Sequence, residues 1–293
     1  MHGPICCIFP SFTPASGGVG KGGIAVACIS ASSVGPFMPV NTYTGEIQTV
    51  YNWLLRLLVF SFIGCLVGLI LGWVKESTRE LIQYNRQLSD VYHRFLMSMV
   101  NTLEARDPDT RFHYQKVALL SVMIGKRMGL EPAQLSELYW AAILHDLGKI
   151  GVPNEILMKK GPLEKDEWEV MKAHSMVAEE IIKPVPFLNP LLTIIRSHHE
   201  KWDGSGYPDG LEKESIPLLA RIITVADVFD AMLSERPYHK AGDSIDAAKE
   251  YIVQNKGILF DPEVVDALEE LNTGLLDRIR NIKVLSDLEA IPL

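Results

Sequence analysis

Cysteine is scarce and confined to one end. The four thiols, Cys6, Cys7, Cys28 and Cys65, all precede residue 70, so the long C-terminal part has no partner for a disulfide and no thiolate set for a zinc ribbon. That distribution fits a reducing compartment. Positive charge is also short: 28 Lys and Arg against 36 Asp and Glu leave a formal net charge of −8. Non-specific binding to a nucleic-acid polymer needs clustered cations against phosphates, and this balance excludes it. Any anionic ligand must be met by a few local Lys or Arg side chains or by metal charge. Charge of either sign is nearly missing before Thr49, where only Lys21 and Glu46 carry it among Gly, Pro, Ser and Ala, and no sensory fold is recognisable there. Disorder is excluded for the chain as a whole, because 47% of its 293 residues are hydrophobic and can build one or two cores.

What the chain does have begins with a long uncharged run. "LLVFSFIGCLVGLILGWV", from Leu57 to Val74, is long enough for a hydrocarbon core, and Trp53 to Val74 is read as a transmembrane helix. Arg56 lies where it can snorkel, and Trp53 and Trp73 lie where interfacial aromatics belong. A buried core helix is the competing reading; a cleavable signal peptide lacks its small-residue cleavage site. Lys75, Arg79 and Arg86 follow the span, which by the positive-inside tendency puts the C-terminal part in the cytoplasm and the span in the inner membrane. Gly22 to Val40 is also uncharged but broken by Gly35, Pro36 and Pro39, so one span and two spans both remain open.

Beyond the span, "KESTRELIQYNRQLSDVYHRFLMSMVNTLEA" contains no Gly or Pro. Leu81, Tyr84, Leu88, Val91 and Phe95 alternate at three- and four-residue spacing, as an a/d seam does. Two readings fit: a parallel homodimeric signalling helix, or an amphipathic helix laid on the following domain. From Glu104 the chain reads as an all-α bundle with no sustained strand alternation. Asp107-Pro108 looks like a helix start, Gly129 like a glycine C-cap, and Glu131-Pro132 like the opening of "PAQLSELYWAAILHDLGK".

Chemistry-bearing residues collect in this helical part. His145 and Asp146 close an apolar helix just before the turn Leu147-Gly148-Lys149. Neighbours on a helix diverge by about 100°, so the pair can serve metals only at a junction of helices. His113, His174, His198 and His199 lie on other segments, and Asp227 sits in the apolar "ARIITVADVFDAM". An unpaired Asp on an apolar face is costly to bury, and a metal ion is a partner that offsets the cost.

Six motifs in order, "LEARDPDTRFH", "AAILHDLGKIGVP", "GPLEKDEWEVMKAH", "SHHEKWDGSGYPDGL", "IPLLARIITVADVFDAMLSERPYHKA" and "FDPEVV", resemble the HD-GYP domains over roughly residues 101–270. These are cytoplasmic phosphodiesterases that hydrolyse the bacterial second messenger cyclic di-GMP. The resemblance implies an all-α HD-type bundle in which His113, His145, Asp146 and Asp227 form one metal set, with Asp146 bridging, and His174, His198 and His199 complete a second position. Imidazole and carboxylate without thiolate suit iron or manganese. Two such ions about 3.5–4 Å apart hold a hydroxide between them and clamp the phosphate. Lys149 and Arg236 match the family's phosphate-binding cations, and Tyr207 belongs to its signature loop, where it contacts substrate or a partner protein such as a diguanylate cyclase; an ordinary turn with a packed tyrosine is the plainer reading.

The chain departs from the pattern at three places. Asp109 stands where many members carry Tyr and some a Glu that binds a third metal, Tyr114 and Lys116 replace a small residue and an Arg, and His239 replaces a basic residue. None removes a core ligand. Asp109 precedes His113 by four residues, so in a helix opened by Pro108 both would share a face, and a third, weaker metal site is expected there. A first-turn Asp interacting with the helix dipole is the alternative. Either two or three divalent ions are therefore implied. The expected layout is an uncharged segment over 1–52, the span over 53–74, a linker helix over 75–103, the phosphodiesterase domain over 104–285 and a tail over 286–293. Two other functions stay open: a related phosphohydrolase of another cyclic dinucleotide, and a catalytically idle signalling module.

Overall fold

The computed structural model describes residues 39–41, 46–47, 49–106, 112–234 and 244–282. They fall into two compact units that meet in sequence between Arg94 and Phe95. The N-terminal unit holds a two-stranded antiparallel ribbon, β1 (Pro39–Asn41) with β2 (Glu46–Ile47), which sequence reading did not anticipate. The possible second span, Gly22 to Val40, lies outside the described residues up to residue 38, and so does the 286–293 tail.

The expected span and linker helix run together as one uninterrupted helix, α1 (Val50–Arg106). No proline interrupts these 57 residues, and the run from Lys75 is built of good helix formers. Its apolar stretch is long and apolar enough to cross a membrane and is not packed inside the protein. Leu58, Phe62, Leu69 and Trp73 are exposed. The seam residues Leu81, Tyr84, Leu88, Val91 and Phe95 are exposed as well. Only Leu96, Val100 and Leu103 of α1 are buried, in the C-terminal unit.

Among its described residues that unit has helices and loops and no strand beyond an isolated bridge between Lys256 and Phe260. Helix α2 (His113–Arg127) packs on α3 (Pro132–Leu144) and on α8 (Leu218–Leu233), with α4 (Asn154–Leu157), α5 (Lys165–Lys172), α6 (His174–Ile182) and α7 (Leu192–Arg196) between them in sequence and α9 (Ile245–Gln254), α10 (Pro262–Glu269) and α11 (Thr273–Arg280) after them. The core is the shared interior of α2, α3 and α8, with Val117, Leu120, Ile124, Leu138, Ile143, Ile222, Ile223 and Val225 almost fully buried. Each such side chain contributes about 1.5–3 kcal/mol. Leucine methyls pack onto Gly125 of α2, where a Cβ would stand 2.9 Å from a Leu138 methyl of α3.

The expected C-cap holds. Gly129 adopts φ +78, and Leu130 N–H donates to Gly125 O while Gly129 N–H donates to Lys126 O, a Schellman closure. Glu131-Pro132 opens α3 as expected, with Glu131 N–H donating to Gln134 Oε1. The start of α2 differs: its N-cap is Phe112, left-handed at φ 61, and the helix begins at His113. Asp107-Pro108 and Asp109 lie outside the described residues.

Candidate metal centre

Four helix ends and one helix middle bring the ligand candidates together. His113 is the first residue of α2, His145 caps α3, and Asp146 opens the 3-10 turn Leu147–Gly151. His174 opens α6, His198 and His199 follow α7 directly, and Asp227 lies within α8. Gly148 is what lets the turn press on α6: a Cβ there would overlap the His174 carbonyl oxygen and stand 2.6 Å from Ala178 N.

The donors form two groups that share one carboxylate. One ligand atom from each of Asp146, His174, His198 and His199 lies within 4.8 Å of the others, and so does one from each of His113, His145 and Asp146. Asp146 Oδ1 faces His174 Nε2 at 3.3 Å and His198 Nε2 at 4.0 Å, while its Oδ2 faces His145 Nε2 at 3.4 Å. Asp227 Oδ1 lies 3.3 Å from His113 Nε2 and 4.0 Å from His145 Nε2.

A partner on the far side of the ring fixes the tautomer of four of the five histidines. The Nδ1–H groups of His145, His174 and His198 donate to the carbonyls of Ala142, Met171 and Ile195 at 2.7, 2.6 and 2.6 Å. A carbonyl only accepts, so in the neutral ring each Nε2 keeps its lone pair for the centre. His113 Nδ1 donates instead to Asp230 Oδ2 at 2.7 Å, a carboxylate–histidine arrangement typical of metal ligands. Asp230 went unnoticed in the sequence; its signal was a second Asp one turn after Asp227 on an apolar helix.

This donor set fits cations. His174 Nε2 and His198 Nε2 oppose their lone pairs at 3.4 Å above a carboxylate oxygen. His145 Nε2 and Asp146 Oδ1 are buried without a hydrogen-bond partner. Buried acceptors facing one another are costly unless a positive charge lies among them. The cluster is therefore able to hold divalent metal.

Titration follows the same division. Burial pushes the His198 imidazolium well below its usual range, and burial together with His174 brings His199 to about 3. Burial likewise lowers His174, partly opposed by Asp146. His113 goes the other way: burial opposes its charge, yet the Asp227 and Asp230 carboxylates outweigh burial and push it up to about 10. Burial also opposes ionisation of Asp146, but Lys149 and the His145 and His174 rings hold its carboxyl well below the usual range.

The loop after the histidines is strapped onto them. A Cβ on Gly206 would stand 2.5 Å from Glu200 Cα and 2.6 Å from His199 O, so the backbone there admits only glycine. The buried Glu200 carboxylate accepts N–H bonds from Asp209, Gly210 and Leu211 at 2.7, 3.1 and 3.1 Å. Arg196 ties Asp209 to Glu179 of α6. Tyr207, half-buried, stacks at 4.8 Å and 33° on His199, and burial followed by the Asp146 and Asp227 charges raises its hydroxyl above the ordinary range. Lys149 Nζ donates to Asp146 Oδ2 at 2.5 Å. Of the residues assigned from the motifs, the fold brings together His113, His145, Asp146, Lys149, His174, His198, His199, Tyr207 and Asp227; Asp109, Arg236 and His239 lie outside the described residues.

Two histidine clusters that share an aspartate within a helical bundle form a histidine–carboxylate cluster able to hold metal. A family model for the HD domain matches residues 97–264, and the chain belongs to the HD-domain family. It is 42% identical over 192 residues to the cyclic di-GMP phosphodiesterase response regulator RpfG of Xanthomonas campestris pv. campestris, covering 65% of this chain and 50% of that protein. It is 40% identical over 198 residues to a cyclic di-GMP phosphodiesterase of Thermotoga maritima, covering 66% and 54%. The 3'3'-cGAMP-specific phosphodiesterase 3 of Vibrio cholerae serotype O1 is 36% identical over 206 residues, covering 70% and 45%. The chain spans about half the length of these curated relatives.

Proposed function

We propose that the C-terminal unit is a metal-dependent phosphodiesterase that hydrolyses cyclic di-GMP to linear pGpG and onward to GMP. The observation that carries this reading is Asp146, one buried carboxylate facing histidines of both groups. Two divalent ions, iron or manganese by the nitrogen and oxygen donors, would supply Lewis-acid activation of water and of the phosphodiester there. His113, His145, Asp146 and Asp227 would hold one position and Asp146, His174, His198 and His199 the other, with Nε2 of His145, His174 and His198 turned inward by backbone carbonyls and that of His113 by Asp230. Lys149, partly exposed beside Asp146, meets charge building on the non-bridging oxygens, and Arg236 is assigned the same task by its motif. Tyr207 walls the site on the substrate side. Asp109 is the candidate for a third ion.

The exposed apolar part of α1 supports a membrane tether, with the catalytic unit in the cytoplasm at the inner membrane. Its exposed seam supports a homodimer through the linker helix. The signature loop around Tyr207 is the surface offered to a diguanylate cyclase partner. A second substrate, 3'3'-cGAMP, is favoured by the likeness to a phosphodiesterase named for it. Purified full-length protein loaded with iron or manganese should hydrolyse cyclic di-GMP, with 3'3'-cGAMP assayed alongside. Asp146→Ala should lose turnover and metal together. Metal and turnover both retained in that variant would sink the binuclear reading, and absence of turnover in loaded wild type would leave an idle signalling module.

A further inference from the structure

We infer that Trp168 is a stacking platform for one purine base of the cyclic dinucleotide, an inference that rests on the reading above. Trp168 lies on α5, the short helix that leads into His174, and no residue of α5 is buried. The helix is otherwise mostly polar and is held from outside by Lys159, which pairs with Glu164 and Glu167. An indole left 46% exposed on such a helix is not packed as a core side chain.

Its position gives that exposure a purpose. The Trp168 ring meets the Tyr207 ring edge to face at 6.3 Å and 78°, and Tyr207 in turn lies over His199 at 4.8 Å. A row of rings thus runs outward from the histidine group to an open aromatic surface. A cyclic dinucleotide with one phosphodiester at the shared carboxylate must carry its bases away from the donors, and the apolar flat face next along the row is the indole. Every base offers a π face, so the platform accepts guanine and adenine alike and contributes binding without choosing between them.

The test uses loaded full-length protein with cyclic di-GMP and 3'3'-cGAMP. Trp168→Ala should raise KM for both by about ten- to a hundredfold, the loss expected for one base–aromatic stack. Its kcat should stay within about threefold and its metal content should be unchanged, because uniform binding is what is removed. Trp168→Phe, which keeps a smaller ring, should restore most of the affinity. Dinucleotide should also quench tryptophan emission in wild type, and that component should vanish in Trp168→Phe even if Trp168→Ala folds poorly. Wild type active, with KM and quenching unchanged in the variants, overturns this inference alone. Wild type that hydrolyses neither dinucleotide overturns the functional reading and the stacking role with it.

Discussion

Gly148→Ala is the least intrusive change that should separate the two ligand groups. The added methyl would overlap the His174 carbonyl oxygen and stand 2.6 Å from Ala178 N and 2.8 Å from His174 C, all of them backbone atoms of α6. No rotamer relieves such contacts. Carbon needs about 3.5 Å or more, so the turn and α6 must part by about 1 Å or more. Asp146 lies on one side of that gap and His174 on the other, and their 3.3 Å approach would lengthen by a similar amount. Overpacking of this kind costs about 1–3 kcal/mol of stability. A 1 Å misplacement of catalytic groups costs on the order of a hundredfold in rate. The assay pairs metal analysis with steady-state hydrolysis of cyclic di-GMP: the expected protein is folded, holds fewer than two ions per chain and has kcat/KM reduced about a hundredfold or more. A variant that keeps its full metal complement and works within about threefold of wild type would refute the claim that this contact holds the shared carboxylate in place.

Metal loading should also release protons unequally. The His174, His198 and His199 rings have their acidity shifted so that they are neutral at pH 7, whereas His113 keeps a proton up to about pH 10 between Asp227 and Asp230. Filling the His113 position below that pH must displace the proton, so its affinity should rise about tenfold per pH unit from neutrality upward. Calorimetry in two buffers of different ionisation enthalpy should show about one proton released at one loading step and none at the other; equal release at both would contradict the assignment. Glu200→Gln removes the charge and one acceptor from a carboxylate that takes three backbone N–H bonds. At about 1.5–3 kcal/mol for a charged hydrogen bond, Tm should fall by roughly 4–8 °C, and KM should rise as Tyr207 loosens. An unchanged Tm would mean that Glu200 does not strap the loop. Full-length protein should fractionate with membranes and need detergent for release; recovery of the intact chain in the soluble fraction would refute the tether.

The helical class, the breaks at Gly129 and Glu131-Pro132, and the histidine–aspartate set were legible because each has a local signature: a left-handed glycine, a proline in a first helical turn, or a motif. Features made by distant residues were not. Asp230 becomes meaningful only once α2 and α8 set it against His113, 117 positions away. Glu200 stood in plain view beside the two histidines, but its task depends on the loop folding back over it. The left-handed Phe112 gave no cue, since a bulky aromatic is not what that conformation favours. The division of α1 into span and linker came from a change in composition at Lys75, which alters what surrounds a helix without ending it.

Anomalous diffraction from crystals of protein loaded with manganese or iron tests the shared carboxylate most directly. The account predicts two anomalous peaks about 3.5–4 Å apart with Asp146 between them, one flanked by His113, His145 and Asp227 and the other by His174, His198 and His199. A single peak, or two peaks that do not share Asp146, would contradict it.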